Sequence, residues 1–199
     1  MPVFYDTHAH LDYPEFAAEL PEVVERAAAA GITRVISIGT DFESSRRAIQ
    51  LAEQFPNVLA VVGWHPSHVE EAPEDIRPGL RELASHPRVA AIGETGLDYH
   101  RLPGSKPGAE ADANADTRYK ARQAELFRQH LEVAAELNLN CVIHQRDCLE
   151  DLLQQFRPFY LPVLYSIYTV FIRRLAYHVG KYIAAEVYIS FAGNGLVEK

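Results

Sequence analysis

Five apolar, β-branched runs alternate with stretches patterned for helix, and that alternation restricts the chain to βα units around a parallel sheet. The runs are Val3–Asp6, Arg34–Gly39, Val58–Trp64, Val89–Gly93 and Asn140–His144. Between and after them, Glu15–Ala30, Glu43–Phe55, Glu74–Ser85, Thr117–Asn138 and Asp147–Phe156 read as helices. In the helix after Thr117, Leu126, His130, Leu131, Ala134 and Leu137 recur at helical spacing and should face the sheet. His130 is therefore expected as a packed side chain and not as a ligand.

The 199 residues are 48% hydrophobic, enough for one sizeable core, so 1–199 is expected to form a single domain. A net charge of -8 excludes the basic footprint that tracks along nucleic acid, and any anionic substrate would need a local cation to draw it in. The two cysteines, Cys141 and Cys148, form neither a disulfide framework nor a zinc motif and read as reduced thiols of a cytoplasmic protein. Met1 to Asp6 has neither a basic n-region nor an apolar stretch of useful length, so no secretory leader is expected. The uncharged stretch Pro158–Ile172 contains Pro158 and Pro162 and is shorter than the ~17 to 25 residues of a spanning helix, so no membrane partner is expected. No stable protein partner can be inferred. Residues 102–116, rich in Gly, Pro, Ala and acids, read as a flexible loop inserted after the fourth strand.

Chemistry concentrates where the apolar runs end. In Asp6-Thr-His8-Ala-His10 the two histidines stand two apart, and in extended backbone such residues point to one side, so both imidazoles can reach one ion. Glu94 follows the fourth run, with Gly96 easing a tight turn beyond it, and His144 ends the fifth. The C-terminal ends of parallel strands lie on one side of a sheet, so His8, His10, Glu94 and His144 can converge. Such nitrogen and oxygen donors suit Zn, Mn or Fe, and a carboxylate that bridges two ions suits a binuclear hydrolytic centre. His65, in Gly63-Trp-His-Pro66, ends the third run. With no second donor beside it in sequence, it is a candidate for supporting the centre or touching substrate.

Asp6-Thr-His-Ala-His-Leu-Asp12, Gly63-Trp-His-Pro66, Ile92-Gly-Glu-Thr-Gly-Leu-Asp-Tyr99 and Val142-Ile-His-Gln-Arg-Asp147 together resemble the TatD family of metal-dependent deoxyribonucleases, in order from residue 3 to about residue 156. The resemblance implies an α/β fold of (β/α)8 TIM-barrel type with parallel strands. It makes His8, His10, Glu94 and His144 metal ligands, with Glu94 the bridging catalytic carboxylate, and it places His65 and Arg146 near the substrate phosphate. The implied cofactors are divalent ions (Mg, Mn or Zn), two in the intact family. The implied reaction is hydrolysis of DNA phosphodiester bonds by a divalent-metal-activated water, with single-stranded DNA or a 3' end as the partner.

The chain also departs from that pattern. A (β/α)8 barrel takes ~250 residues, so the expectation is an incomplete barrel of about six βα units, truncated at its C-terminus. The family's late Asp in a Thr-Asp-x-Pro context is not found before Lys199. Residues 158–186 diverge, and Tyr168-Thr-Val-Phe171 stands about where the family carries His-Cys-Phe. The alternatives are a catalytically impaired homologue that acts as a metal-binding or interaction module, and a hydrolase of small cyclic amides or esters.

Overall fold

A computed structural model describes residues 4–105 and 114–159 with their side chains, and the backbone of 167–170 and 188–190. In chain order the elements are β1 Phe4–Ala9, α1 Leu20–Ala29, β2 Ile32–Ile38, α2 Phe42–Gln54, β3 Val58–Val62, α3 Arg77–Ala84, β4 Val89–Asp98, α4 Ala115–Leu137, β5 Asn140–Arg146, α5 Leu149–Phe156, β6 Ile167–Val170 and β7 Tyr188–Ser190. The strands lie in one sheet in sequence order, and every neighbouring pair is parallel. A doubly wound sheet reverses its strand order at a switch point, whereas strands laid down in strict succession follow the stave order of a (β/α)8 barrel. The fold is therefore the expected α/β, incomplete barrel of TIM type, with seven strands among the described residues where about six units were expected. Much of the loop (106–113) and of the divergent stretch (160–166 and 171–186) lies outside the described residues.

Two local expectations are corrected. The helix read over Glu15–Ala30 is a 3-10 turn at Pro14–Phe16 followed by α1, because Pro21 fits only in the first turn of a helix. Gly96 does not sit in a turn: β4 runs ten residues, to Asp98, and carries Glu94 and Gly96 inside it.

Strand alternation sorts side chains onto two faces. Val35, Val58, Ala60, Val62, Ile92, Cys141 and Ile143 pack into the main core with Leu80, Leu126, Phe127 and Leu131 of the helices. Ile38, Val61, Ala91 and Val142 form a separate small cluster on the inner face. On β4 this alternation is interrupted. From Ile92 to Thr95 the strand advances three residues while β5 advances two, from Cys141 to Ile143. The extra residue is a β-bulge. Without it Glu94 would share the helix side with Ile92; with it Thr95 and Leu97 pack toward the helices while Glu94, Gly96 and Asp98 join the inner face.

Glycine is required on this stretch. Gly93 and Gly96 have φ of 131° and 142°, a region L side chains avoid. A Cβ on Gly96 would also lie 2.1 Å from the His144 carbonyl oxygen. Gly96→Ala is expected to cost at least about 2 kcal/mol, read as a lower denaturant midpoint.

α4 fixes the ends of β3 and β4 through buried polar side chains. The Gln123 amide donates to the carbonyls of Pro66 and Asp98, both at 3.0 Å, and its oxygen accepts from the Asp98 N–H at 3.0 Å. Nε2 of His130 accepts from the Trp64 N–H at 2.9 Å, and its Nδ1 lies 2.7 Å from the Leu126 carbonyl. A carbonyl can only accept, so Nδ1 carries the proton and the ring is neutral. Burial pushes His130 from 6.5 down to about 4. The unfolded chain thus takes up this proton at a higher pH than the folded one. Stability held by the neutral ring is complete above about pH 6.5 and is lost as pH falls toward 4, by up to about 3 kcal/mol. His130→Gln is expected to be less stable than the parent at neutral pH, with the gap narrowing between pH 6.5 and 4 in parallel denaturant titrations.

Candidate metal centre

β1, β3, β4 and β5 each deliver a donor to the same end of the sheet. His8 lies in β1 and His10 one residue beyond it, His65 follows β3, Glu94 and Asp98 lie on β4, and His144 lies on β5. Oε2 of Glu94 is 3.3 Å from His8 Nε2, and Oε1 is 3.0 Å from His144 Nδ1 and 4.0 Å from His65 Nε2. The two oxygens of one buried carboxylate thus face two separate sets of histidines. Ligand atoms of His8, His10 and Glu94 all lie within 4.8 Å of one another, as do those of His65, Glu94 and His144.

The rings are oriented from behind. Nδ1 of His10 donates to the Ile38 carbonyl at 3.0 Å, which fixes its tautomer and leaves the lone pair on Nε2. Nδ1 of His65 shares a hydrogen bond with the Ser67 hydroxyl at 2.6 Å, while its Nε2 comes 3.2 Å from His144 Nδ1. Nε2 of His144 meets Asp98 Oδ2 at 3.1 Å.

The charge balance fits a cation. Burial alone would raise the Glu94 pKa, but hydrogen bonds from His144 and His8 and the charges of the neighbouring imidazoles hold it well below the ordinary carboxylate range. Burial lowers His10, and the neighbouring His8 adds to that. Burial and the charge on His144 push His65 down to about 3. Burial also opposes a charge on His144, but hydrogen bonds to Asp98 and Glu94 outweigh it and raise this ring to about 9. His65 Nε2, His144 Nδ1 and Glu94 Oε1 lie within 4.0 Å of one another, and two imidazole nitrogens with a carboxylate oxygen are a donor set that a divalent ion accepts. An ion at His144 must displace its proton. Calorimetric titration with manganese in buffers of differing ionisation enthalpy should show about one proton released near pH 7, shrinking as the pH approaches 9, and none from this source in His144→Ala.

The structure brings together all four donors read from the sequence, His8, His10, Glu94 and His144. It also brings His65, read as supporting the centre or touching substrate, within reach of Glu94 and His144. Asp98 was missed. Its signal was its four-residue offset from Glu94, which puts both on one strand face. Arg146 ends β5 two residues beyond His144 and is half-buried. Its charge contributes to lowering the Asp98 pKa, after burial, which opposes the shift, and the hydrogen bonds from His144 and the His100 N–H.

Parallel staves in sequence order, with histidines and a carboxylate gathered at their C-terminal rim, define a barrel-type protein built around a polar donor cluster. The profile of the TatD related DNase family matches residues 5–199, and the chain belongs to that family. It is 36% identical over 149 residues to the uncharacterized metal-dependent hydrolase YabD of Bacillus subtilis, a match covering 75% of this chain and 53% of that protein. It is 33% identical over 161 residues to the 3'-5' ssDNA/RNA exonuclease TatD of Erwinia tasmaniensis, covering 80% of this chain and 56% of that one. The crystal structure of YJJV, a TatD homolog from Escherichia coli K12, superposes with a TM-score of 0.71 at 27% identity, over 83% of this chain and 59% of that one. The chain spans about half the length of the curated relatives it matches. No helix among the described residues is long and apolar enough to cross a membrane.

Proposed function

We propose that the chain is a metal-dependent hydrolase, and more finely a deoxyribonuclease that cleaves phosphodiester bonds of single-stranded DNA. The observation that carries this reading is the buried Glu94 carboxylate, with one oxygen toward His8 and the other toward His144 and His65. His8, His10 and Glu94 would hold one divalent ion, and His65, His144 and Glu94 a second. When bound, the ions supply the positive charge that acidifies water and stabilises phosphoryl oxygens.

The rest is the work of this chain's own residues. The Ile38 carbonyl holds the His10 ring so that Nε2 faces inward, and Asp98 holds the far nitrogen of His144. Glu94, kept ionised by its partners, suits a ligand better than a proton acceptor. Arg146, close enough to influence Asp98, supplies a fixed cation at the rim that can take a substrate phosphate. With a net charge of -8, electrostatic attraction of a polyanion would have to come from local cations of this kind.

One observation favours a second reading, ion binding without turnover. β6 sets Thr169 in register with His144, at about the place where the sequence resemblance calls for a histidine. The two readings are separated by nucleotide release from single-stranded DNA across a series of Mg, Mn and Zn. Hydrolysis predicts release that depends on metal and falls on the order of 100-fold or more in Glu94→Gln and in His8→Ala. Folded protein that binds the ion by calorimetry yet releases no nucleotide with any metal supports the second reading and overturns the first.

A further inference from the structure

The loop that follows β1 ends in an aromatic ring placed against the centre. Tyr13 stacks on His10 with ring centroids 5.0 Å apart and an interplanar angle of 12°. Its residue is 46% exposed although one ring face lies against His10, so the opposite face and edge are open to solvent. The backbone that carries the ring is held from several sides. The Tyr13 N–H donates to the His10 carbonyl at 3.3 Å, and the Tyr13 carbonyl accepts from Phe16 at 3.0 Å. Pro14 follows directly and opens a 3-10 turn. Next to it, the Asp12 carboxylate is nearly inaccessible and is gripped by Arg47 of α2 through Nε at 3.3 Å and NH2 at 3.1 Å. His10 is itself fixed by the Ile38 carbonyl.

A flat, half-exposed ring stacked on a candidate ligand and carried by a tied backbone presents an open aromatic face beside the centre. We propose that the open face of Tyr13 is a stacking subsite for a nucleobase of a single-stranded substrate whose phosphate enters the centre; this rests on the nucleic-acid reading above. Base stacking on an aromatic ring accepts any base and needs no charge. That matches a chain of net charge -8, which cannot gain much from tracking the phosphate backbone. Tyrosine loses little side-chain freedom on binding, and a ring already stacked on His10 loses less. Because Tyr13 rests on His10, a base laid on its outer face would extend one continuous stack outward from the centre.

The test compares two fluorescein-labelled oligonucleotides with the same phosphates, a short oligothymidylate and its fully abasic analogue, by anisotropy in the presence of calcium ion. The parent chain is expected to bind the base-bearing strand about tenfold more tightly. Tyr13→Phe should keep that preference, and Tyr13→Ala should abolish it while leaving the abasic strand and calorimetric manganese binding unchanged. Equal losses for both strands in Tyr13→Ala, a loss that follows weakened metal binding, or no preference in the parent chain would overturn the stacking subsite while leaving the nucleic-acid reading in place. A parent chain that binds metal but neither strand would overturn both.

Discussion

The centre depends on one extra residue in β4. A regular strand through Ala91 and Ile92 would aim Glu94 at the helices, where a carboxylate would be desolvated among the side chains of the main core at a cost of several kcal/mol. The bulge between Ile92 and Thr95 turns it to the inner face instead. There it meets His144 on the neighbouring β5 and His8 on β1, on the far side of β2 and β3. The glycines at positive φ make that backbone path possible, and Gly96, paired with His144, leaves no room for a Cβ beside the His144 carbonyl. The donor cluster is therefore a property of strand register before it is a property of side-chain chemistry.

Support for the centre comes from two directions. On the β1 side, a main-chain carbonyl at Ile38 and the Asp12–Arg47 pair hold the His10 region. On the other side α4 reaches past the sheet, and its buried Gln123 and His130 fix the backbone around His65 and at Asp98. Buried amides and imidazoles of this kind are stabilising only when every polar atom is paired, which is the case for both. They also explain why α4 combines a strongly apolar face with polar residues at positions without solvent.

Much of this was legible in the sequence. The alternation of apolar runs and helical patterns gave parallel strands, and parallel strands bring their C-terminal ends together, so His8, His10, Glu94 and His144 could be grouped before any coordinate was known. What could not be read was anything set by register. The bulge has no signal in composition, so Glu94 was expected beyond a shorter strand and Gly96 in a turn. The four-residue offset puts Asp98 on the face of Glu94, but the bulge decides which face that is. His65 ends a strand as His144 does, but its distance to Glu94 and His144 is set by the fold and not by its neighbours in sequence. Pro21 did carry a signal, since a proline six residues into an expected helix forces the start of α1 to its neighbourhood.

The two oxygens of Glu94 look toward histidines that are anchored by different parts of the molecule: β1 and β2 on one side, β3, β5 and α4 on the other. The centre is thus built from two half-sites that share a single hinge atom group but not a scaffold. Damage to one half need not collapse the other, so a substitution that removes the donors on one side would leave those on the other side in place.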